Sequence, residues 1–239
     1  MRLIIDIILL LIVALSIWGG YKKGLLGGVI GILMILVSLF AANYVASGYA
    51  GDVVPALEPF VDGYIDSQKT RDQILEKMGY GNTDLSLDDV LATDSSLRYD
   101  YAIHCMEMLG FHESRAEELA ETAVSYQNTG DVSMTEAVVD VLCDTITYVA
   151  VLSISFLLIL IILAAIGNVV NLTFRLPNNL ELLDELGGAL LGFVKGFLYC
   201  ILLCWVLSFL GLLIGKETMD HTTLGKFFLA FRFLTKGLL

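Results

Sequence analysis

Long apolar runs alternate with polar stretches along the chain, and these runs are longer than the core helices of a soluble domain need to be. The four runs cover residues 3–18, 25–47, 148–166 and 197–214. A helix of about 20 apolar residues crosses the ~30 Å hydrocarbon core of a bilayer. No stretch of useful length alternates apolar and polar residues as a half-buried strand does. The pattern therefore predicts an all-α, polytopic membrane protein with four transmembrane helices.

Short polar stretches join these helices in pairs, so we expect two helical hairpins. The first comprises residues 1–47, with a tight Gly-Lys turn at residues 19–24, and the second lies within residues 133–215. We expect the first run to remain as a helix rather than to be cleaved as a signal peptide, because Asp6 interrupts it and a second apolar run follows closely.

Glycines spaced four residues apart lie in both hairpins. They are Gly20, Gly24 and Gly28 in the first, and Gly188, Gly192 and Gly196 in the second. Residues four apart share one face of a helix, and glycine lets a second backbone come close. Residues 20–26 also match residues 192–198 in the order Gly, aromatic, any, Lys, Gly, apolar, Leu, which favours a duplicated design. We expect these faces to pack helices together, within one chain or between the chains of a homo-oligomer.

Between the hairpins the apolar runs stop and acidic residues become frequent. Pro55 and Pro59 are expected to break the second helix. Residues 48–132 are predicted to form a compact module of short amphipathic helices outside the membrane. Ser133 and Glu136 then match a capping box that starts one long helix entering the membrane.

The last stretch of the chain, residues 216–239, is predicted to be an amphipathic helix that lies in the membrane interface. The apolar side holds Phe227, Phe231, Leu234 and Leu238, and the opposite side holds Lys226, Arg232 and Lys236. The alternative is a fifth spanning helix, which would place three cations in hydrocarbon. The interfacial position is therefore preferred.

Composition and charge agree with this division of the chain. Hydrophobic residues make up 56% of the sequence, and the mean hydropathy is +0.76. Residues 48–144 hold 20 of the 26 acidic and five of the 14 basic residues, a net charge of −15, whereas the remainder carries +3. An acidic module in water and a mildly basic membrane part follow. The basic surface of a nucleic-acid-binding protein is missing, so the expected partner is the lipid bilayer and not nucleic acid.

Four charged residues are candidates for function because they lie in or beside the apolar runs. They are Asp6, Lys23, Arg175 and Lys195. A carboxylate at membrane depth usually has a partner, although Asp6 is close enough to the chain start to reach the headgroups. Lys23 and Lys195 each lie at a glycine-lined helix start. They would bind an anion or a lipid headgroup, or else only mark the cytoplasmic side.

Motifs for chemistry are few. His104, Cys105 and His112 lack a fourth ligand at a standard spacing, so core packing explains them better than a metal site does. Cys200 and Cys204 lie one turn apart in an apolar run and are expected to be packing residues rather than a redox pair. The sequence contains no nucleophile elbow, phosphate loop or zinc-protease motif. We therefore predict no catalytic residue, no cofactor and no metal.

Several of these features together resemble the colicin V production protein family, which comprises small bacterial inner-membrane proteins. The resemblance rests on the early Asp6, the Gly-x-x-Lys-Gly turn, the Asn-rich end of the third run with its Arg-Leu-Pro, and the stretch LGGALLGFVKG at residues 186–196. It covers residues 1–47 and 150–231.

The chain departs from that family pattern in two ways. Its acidic insert is one that many members lack or keep short, and Lys23 and Lys195 stand where arginine is the commoner cation. The resemblance implies a role in producing or exporting a bacteriocin-type toxin and in envelope upkeep. It implies neither a catalytic residue nor a cofactor.

Three classes of function remain open. The first is a membrane component of toxin production or export, such as a small conduit. The second is a scaffold or sensor whose acidic module binds a protein outside the membrane. An enzyme is disfavoured, because no nucleophile, base and oxyanion donor can be assembled from the motifs.

The distribution of cations indicates a sidedness, although Lys216, Lys226, Arg232 and Lys236 favour the opposite one. The cytoplasmic side would be marked by Lys22, Lys23, Arg175 and Lys195, which places both termini and the acidic module outside the bacterial inner membrane. Cys105 and Cys143 would then react with a membrane-impermeant thiol reagent in intact cells, or be paired as a disulfide.

Overall fold

The fold was examined in a computed structural model, which describes residues 2–81, 87–93, 96–111, 113–130, 132–169, 180–209 and 222–231. Within these ranges no strand occurs, and the prediction of an all-α protein is confirmed. The described helices are α1 (Arg2–Ile65), α2 (Gln68–Lys77), α3 (Leu87–Thr93), α4 (Leu97–Met108), α5 (Glu113–Thr129), α6 (Met134–Val169), α7 (Glu181–Leu207) and α8 (Thr223–Leu229).

Within these described ranges, three helical stretches are long and apolar enough to cross a membrane, namely Leu3–Ile65, Met134–Gly167 and Glu181–Leu207. Their outward side chains are apolar and uncovered: Ile154 and Ile161 of α6 are 60% and 63% exposed. In water such surfaces would be unfavourable, whereas in a bilayer they face hydrocarbon.

The first helix corrects two predictions. The expected turn at residues 19–24 is reduced to one non-helical residue, Gly24, and the helix continues through Pro55 and Pro59 to Ile65. A proline removes one helical hydrogen bond, but its fixed φ is compatible with a helix when packing supports the next turns. Val61 and Ile65 supply that packing, because they are 7% and 1% exposed.

Contacts divide the chain into two compact units, and each is described by itself. The membrane unit comprises Met1–Ser47, Ala150–Leu207 and Glu217–Leu239. A buried cluster formed by Leu9, Cys200 and Cys204 lies in it, together with Phe228 of α8. The side chain of Phe228 is only 5% exposed, so α8 turns part of its apolar side towards the protein rather than towards lipid. Residues 216–221 and 232–239 of the predicted interfacial helix lie outside the described residues.

The second unit comprises Gly48–Val149 and Ser208–Lys216. In this unit α5 packs along α4, and Tyr101 and Cys105, which lie four residues apart on one face of α4, are buried. The hydroxyl of Tyr101 lies 3.2 Å from that of Thr135. Ser133 Oγ accepts a hydrogen bond from the backbone N–H of Glu136 at 3.1 Å, which confirms the predicted cap of α6.

Two further matches to a capping box, Ser86 with Asp89 and Ser114 with Glu117, lie partly outside the described residues. Ser86 is not among them, and nothing is described of the Ser114 side chain. The sequence pattern predicts that the long helix runs to Phe174; that end also lies outside the described residues, because the described helix ends at Val169.

Candidate functional site

The glycines of the two sequence motifs meet where α1 crosses α7. A Cβ atom added to Gly20 would lie 2.7 Å from Gly192 Cα, and one added to Gly188 would lie 2.7 Å from the carbonyl carbon of Gly24. On Gly196, the added carbon would lie 3.0 Å from Val13 Cα. These distances are to backbone atoms, which cannot rotate away as a side chain can. The two helices therefore touch backbone to backbone over three turns.

The order of the contacts shows how α1 runs. Gly188, Gly192 and Gly196 contact Gly20, Ser16 and Val13 in turn, so residues 2–23 run antiparallel to α7. On the other side of Gly24 the order is the opposite. The side chain of Leu25 contacts Gly187, and Gly28 and Gly31 contact Leu191 and Lys195. Residues 25–31 therefore run in the same direction as α7, and the chain reverses at Gly24.

A single glycine makes this reversal, and α7 holds it in place. Gly24 has a φ of +74°, a conformation that favours glycine because it has no Cβ. The next residue, Leu25, donates its backbone N–H to Asp184 Oδ1 at 2.8 Å. Tyr21 donates its hydroxyl to Glu185 Oε2, also at 2.8 Å. Two acids at the start of α7 therefore bind both sides of the turn.

Asp184 is the residue that sequence reasoning missed. Its side chain is 5% exposed, and it satisfies a backbone donor at the start of the second part of α1, where a helix has N–H groups without partners. The spacing of residues along α7 could have indicated Asp184. Asp184 lies four residues before Gly188, so it continues the series Gly188, Gly192 and Gly196 on the same face of α7.

Asp6 has a partner within the membrane unit. Its Oδ1 accepts a hydrogen bond from the backbone N–H of Leu224, at the start of α8, at 3.1 Å. Carboxylates are favourable at helix N-termini. The contact gives Asp6 a structural role in holding α8.

Two of the three candidate cations, Lys23 and Lys195, lie in different surroundings. Lys23 is exposed beside the Gly24 turn, whereas Lys195 is half-buried two turns further along α7, with its Nζ 5.6 Å from the centre of the Tyr199 ring. Arg175 lies outside the described residues. Lys22, the neighbour of Lys23, has its Nζ 4.1 Å from the centre of the Trp18 ring, an arrangement typical of a membrane interface.

The cysteines correct another expectation. All four are free and buried, and Cys105 and Cys143 are only 1% and 0% exposed. Neither is paired as a disulfide, and neither is accessible to a thiol reagent in the folded protein. Burial also raises the pKa of the Cys105 thiol to about 12, so little thiolate is present at neutral pH. This change reflects the dry core around Tyr101 and not a reactive centre.

Metal-binding groups do not converge in the described part of the chain, where no cluster of three or more His, Cys, Asp or Glu residues has suitable geometry. His104 Nδ1 lies 3.6 Å from Glu107 Oε2 on the same helix. His112 is outside the described residues.

The acidic unit presents a charged face on α5. Four exposed glutamates lie on this helix: Glu113, Glu117, Glu118 and Glu121. Beneath them Arg115, 8% exposed, binds Glu118 Oε2 at 2.7 Å and lies over the ring of Phe209 at 5.0 Å. Arg115 therefore ties α5 to the segment that follows α7, and the remaining acids of α5 point to solvent.

Long apolar helices joined by backbone contact define the class of this protein, a helical membrane protein that crosses the bilayer more than once. Residues 122–232 match the family model described as colicin V production protein. This range covers a little under half of the chain, and it confirms the resemblance recognised in the sequence for residues 150–231. No curated protein and no solved structure gives a significant match.

Proposed function

We propose that the protein is a non-catalytic membrane scaffold of the colicin V production type, with four membrane crossings arranged as two hairpins. The two parts of α1 on either side of Gly24 would each cross the bilayer, and α6 and α7 would supply the other two crossings. Support for this layout comes from the opposite order in which the two parts contact α7. Both ends of the first hairpin then lie on one side of the membrane, and Lys22 and Lys23 lie on the other.

The observation that carries the scaffold proposal is the closed contact between α1 and α7. A conduit needs space between helices that water or ions can occupy. Here the Gly20, Gly188 and Gly192 backbones meet with no room for even a methyl group. Packing of this kind supplies stability in lipid, where hydrophobic drive between helices is small. This close packing favours a rigid scaffold over a gated channel.

The acidic face of α5 is the surface we assign to a protein partner. Its exposed carboxylates would attract a basic segment of that partner by long-range electrostatics, which increases the association rate more than the affinity. The glycine faces are used within one chain, so a homo-oligomer would need a different surface.

The family description points to the process in which this scaffold acts. We propose that it supports production or export of a colicin V-type toxin, and upkeep of the envelope, in the bacterial inner membrane, with the acidic module on the extracytoplasmic side. The partner would be another protein of that process.

Two experiments test the proposal. Purified protein in liposomes should give no more chloride or potassium flux than empty liposomes do. A flux that Lys195→Gln reduces would establish a conduit instead.

In a toxin-producing strain that depends on this protein, Glu117→Lys with Glu121→Lys should lower the toxin released, whereas Glu76→Lys, an exposed acid on α2, should not. Protein levels in the membrane fraction provide the control. Equal toxin release by all variants would contradict the role of the α5 face.

A further inference from the structure

An apolar cavity of about 320 Å³ lies within the membrane unit. Four helical segments surround it, through Ile12 and Leu39 of the two parts of α1, Leu152 and Phe156 of α6, and Tyr199 and Leu203 of α7. Ligand pockets in proteins begin at about this size, ~300 Å³. The lining offers almost no hydrogen-bonding groups, so water gains little by filling the cavity.

The cavity opens onto the outer, lipid-facing surface of the unit. Leu157 of α6 lines it and is also 56% exposed. Its neighbours Ile154, Leu158 and Ile161 continue this exposed apolar surface. An occupant can therefore enter sideways from the hydrocarbon of the bilayer.

A half-buried cation, Lys195, lies beside the cavity. Tyr199 forms part of the cavity wall, and Lys195, one helical turn earlier, places its Nζ over the Tyr199 ring. Gly31 leaves room for this ammonium group, because a Cβ there would lie 3.3 Å from Nζ. No carboxylate among the described residues forms an ion pair with Lys195.

We propose that this cavity and Lys195 form a binding site for one anionic phospholipid of the surrounding bilayer. An acyl chain fills the cavity between Ile12, Leu39, Leu152 and Tyr199, and the phosphate pairs with Lys195 Nζ. An anionic phospholipid matches both the cavity and the cation, because its acyl chain needs an apolar space that is open to lipid and its headgroup needs a cation near the interface. Lys195 also directly precedes the charge-free run that begins at Phe197, so its ammonium group lies at the end of that run rather than within it.

Tryptophan quenching by brominated lipids tests this site directly. The chain has two tryptophans, and Trp205 lines the cavity. In a Trp18→Phe background Trp205 is the only one left. The protein is placed in nanodiscs that contain phosphatidylglycerol or phosphatidylcholine with brominated acyl chains, at equal mole fraction. We expect phosphatidylglycerol to quench Trp205 with about fivefold preference, the contribution of one lysine near an anionic headgroup.

Three variants assign the preference to Lys195. Lys195→Gln should abolish it and Lys195→Arg should keep it. Lys22→Gln, which removes the same charge from an exposed position beside Trp18, should leave it unchanged.

The proposal is overturned by equal quenching from the two lipids, or by a preference that survives Lys195→Gln. The absence of quenching by both lipids would also overturn it, because the cavity would then be closed to acyl chains by a second copy or another protein. These outcomes do not depend on the scaffold function, which the flux and toxin-release measurements address.

Discussion

Two adjacent glycines in α1 give the sharpest test of the crossing with α7. Gly19 and Gly20 are both helical, but a Cβ on Gly19 would meet nothing within 4 Å, whereas a Cβ on Gly20 would lie 2.7 Å from Gly192 Cα. Non-bonded carbon atoms prefer a separation of about 3.5–4.0 Å. The substitution Gly20→Ala must therefore push the two backbones apart by about 1 Å.

The expected effect follows from overpacking, which destabilises proteins by about 1–3 kcal/mol. Gly19→Ala should instead be neutral or stabilising by up to about 1 kcal/mol, because alanine favours the helix more than glycine does. Unfolding in mixed micelles with increasing sodium dodecyl sulfate measures both. Trp205, 2% exposed in the folded state, provides the fluorescence signal. Equal midpoints for Gly19→Ala and Gly20→Ala would refute the backbone contact.

Three further predictions concern the turn and the acidic unit. Gly24→Ala should destabilise the folded state by about 1–3 kcal/mol in the same detergent titration, because a φ of +74° is unfavourable for alanine and the new methyl group would meet the Asp184 carboxylate. An unchanged unfolding midpoint would show that the chain does not turn at Gly24. Asp184→Ala should lower the free energy of unfolding by about 1–3 kcal/mol, because it leaves the Leu25 N–H without an acceptor. Asp184→Asn keeps an acceptor oxygen and should lower it less. The same detergent titration compares the two variants, and equal losses would exclude the hydrogen bond as the cause. Burial raises the pKa of the Cys105 thiol from 9.0 to about 12, so the thiol of the unfolded chain ionises first as the pH rises. The stability that Cys105 contributes below pH 9 should therefore fall as the pH rises towards 12. Thermal unfolding of the full-length protein should show a weaker decline with pH for Cys105→Ala than for the native protein, and parallel declines would contradict this assignment.

The sequence predicted those structural features that depend only on residues close together in the chain. The cap at Ser133 follows from a pattern within a few residues, and it is present. The apolar runs likewise predicted helices of membrane length. These features need no knowledge of what the helix packs against.

Contacts between distant residues could not be predicted in this way. The hydrogen bond from Leu25 to Asp184 joins residues 159 apart, and that from Leu224 to Asp6 joins residues 218 apart. A carboxylate beside an apolar run indicates that a partner is needed but not which one. The helix beyond Pro59 was missed for the same reason, because the burial of Ile65 outweighs a local helix-breaking signal.

The central claim is that the two parts of α1 cross the membrane separately, with the acidic module on one side and the Gly24 turn on the other. Single cysteines at exposed positions test it in a background where the four native cysteines are replaced by alanine. We expect Glu121→Cys and Lys226→Cys to react with a membrane-impermeant thiol reagent in intact cells, and Lys22→Cys to react only after the membrane is permeabilised. Labelling of Lys22→Cys under the same conditions as the other two would place the turn on the side of the module and contradict the account.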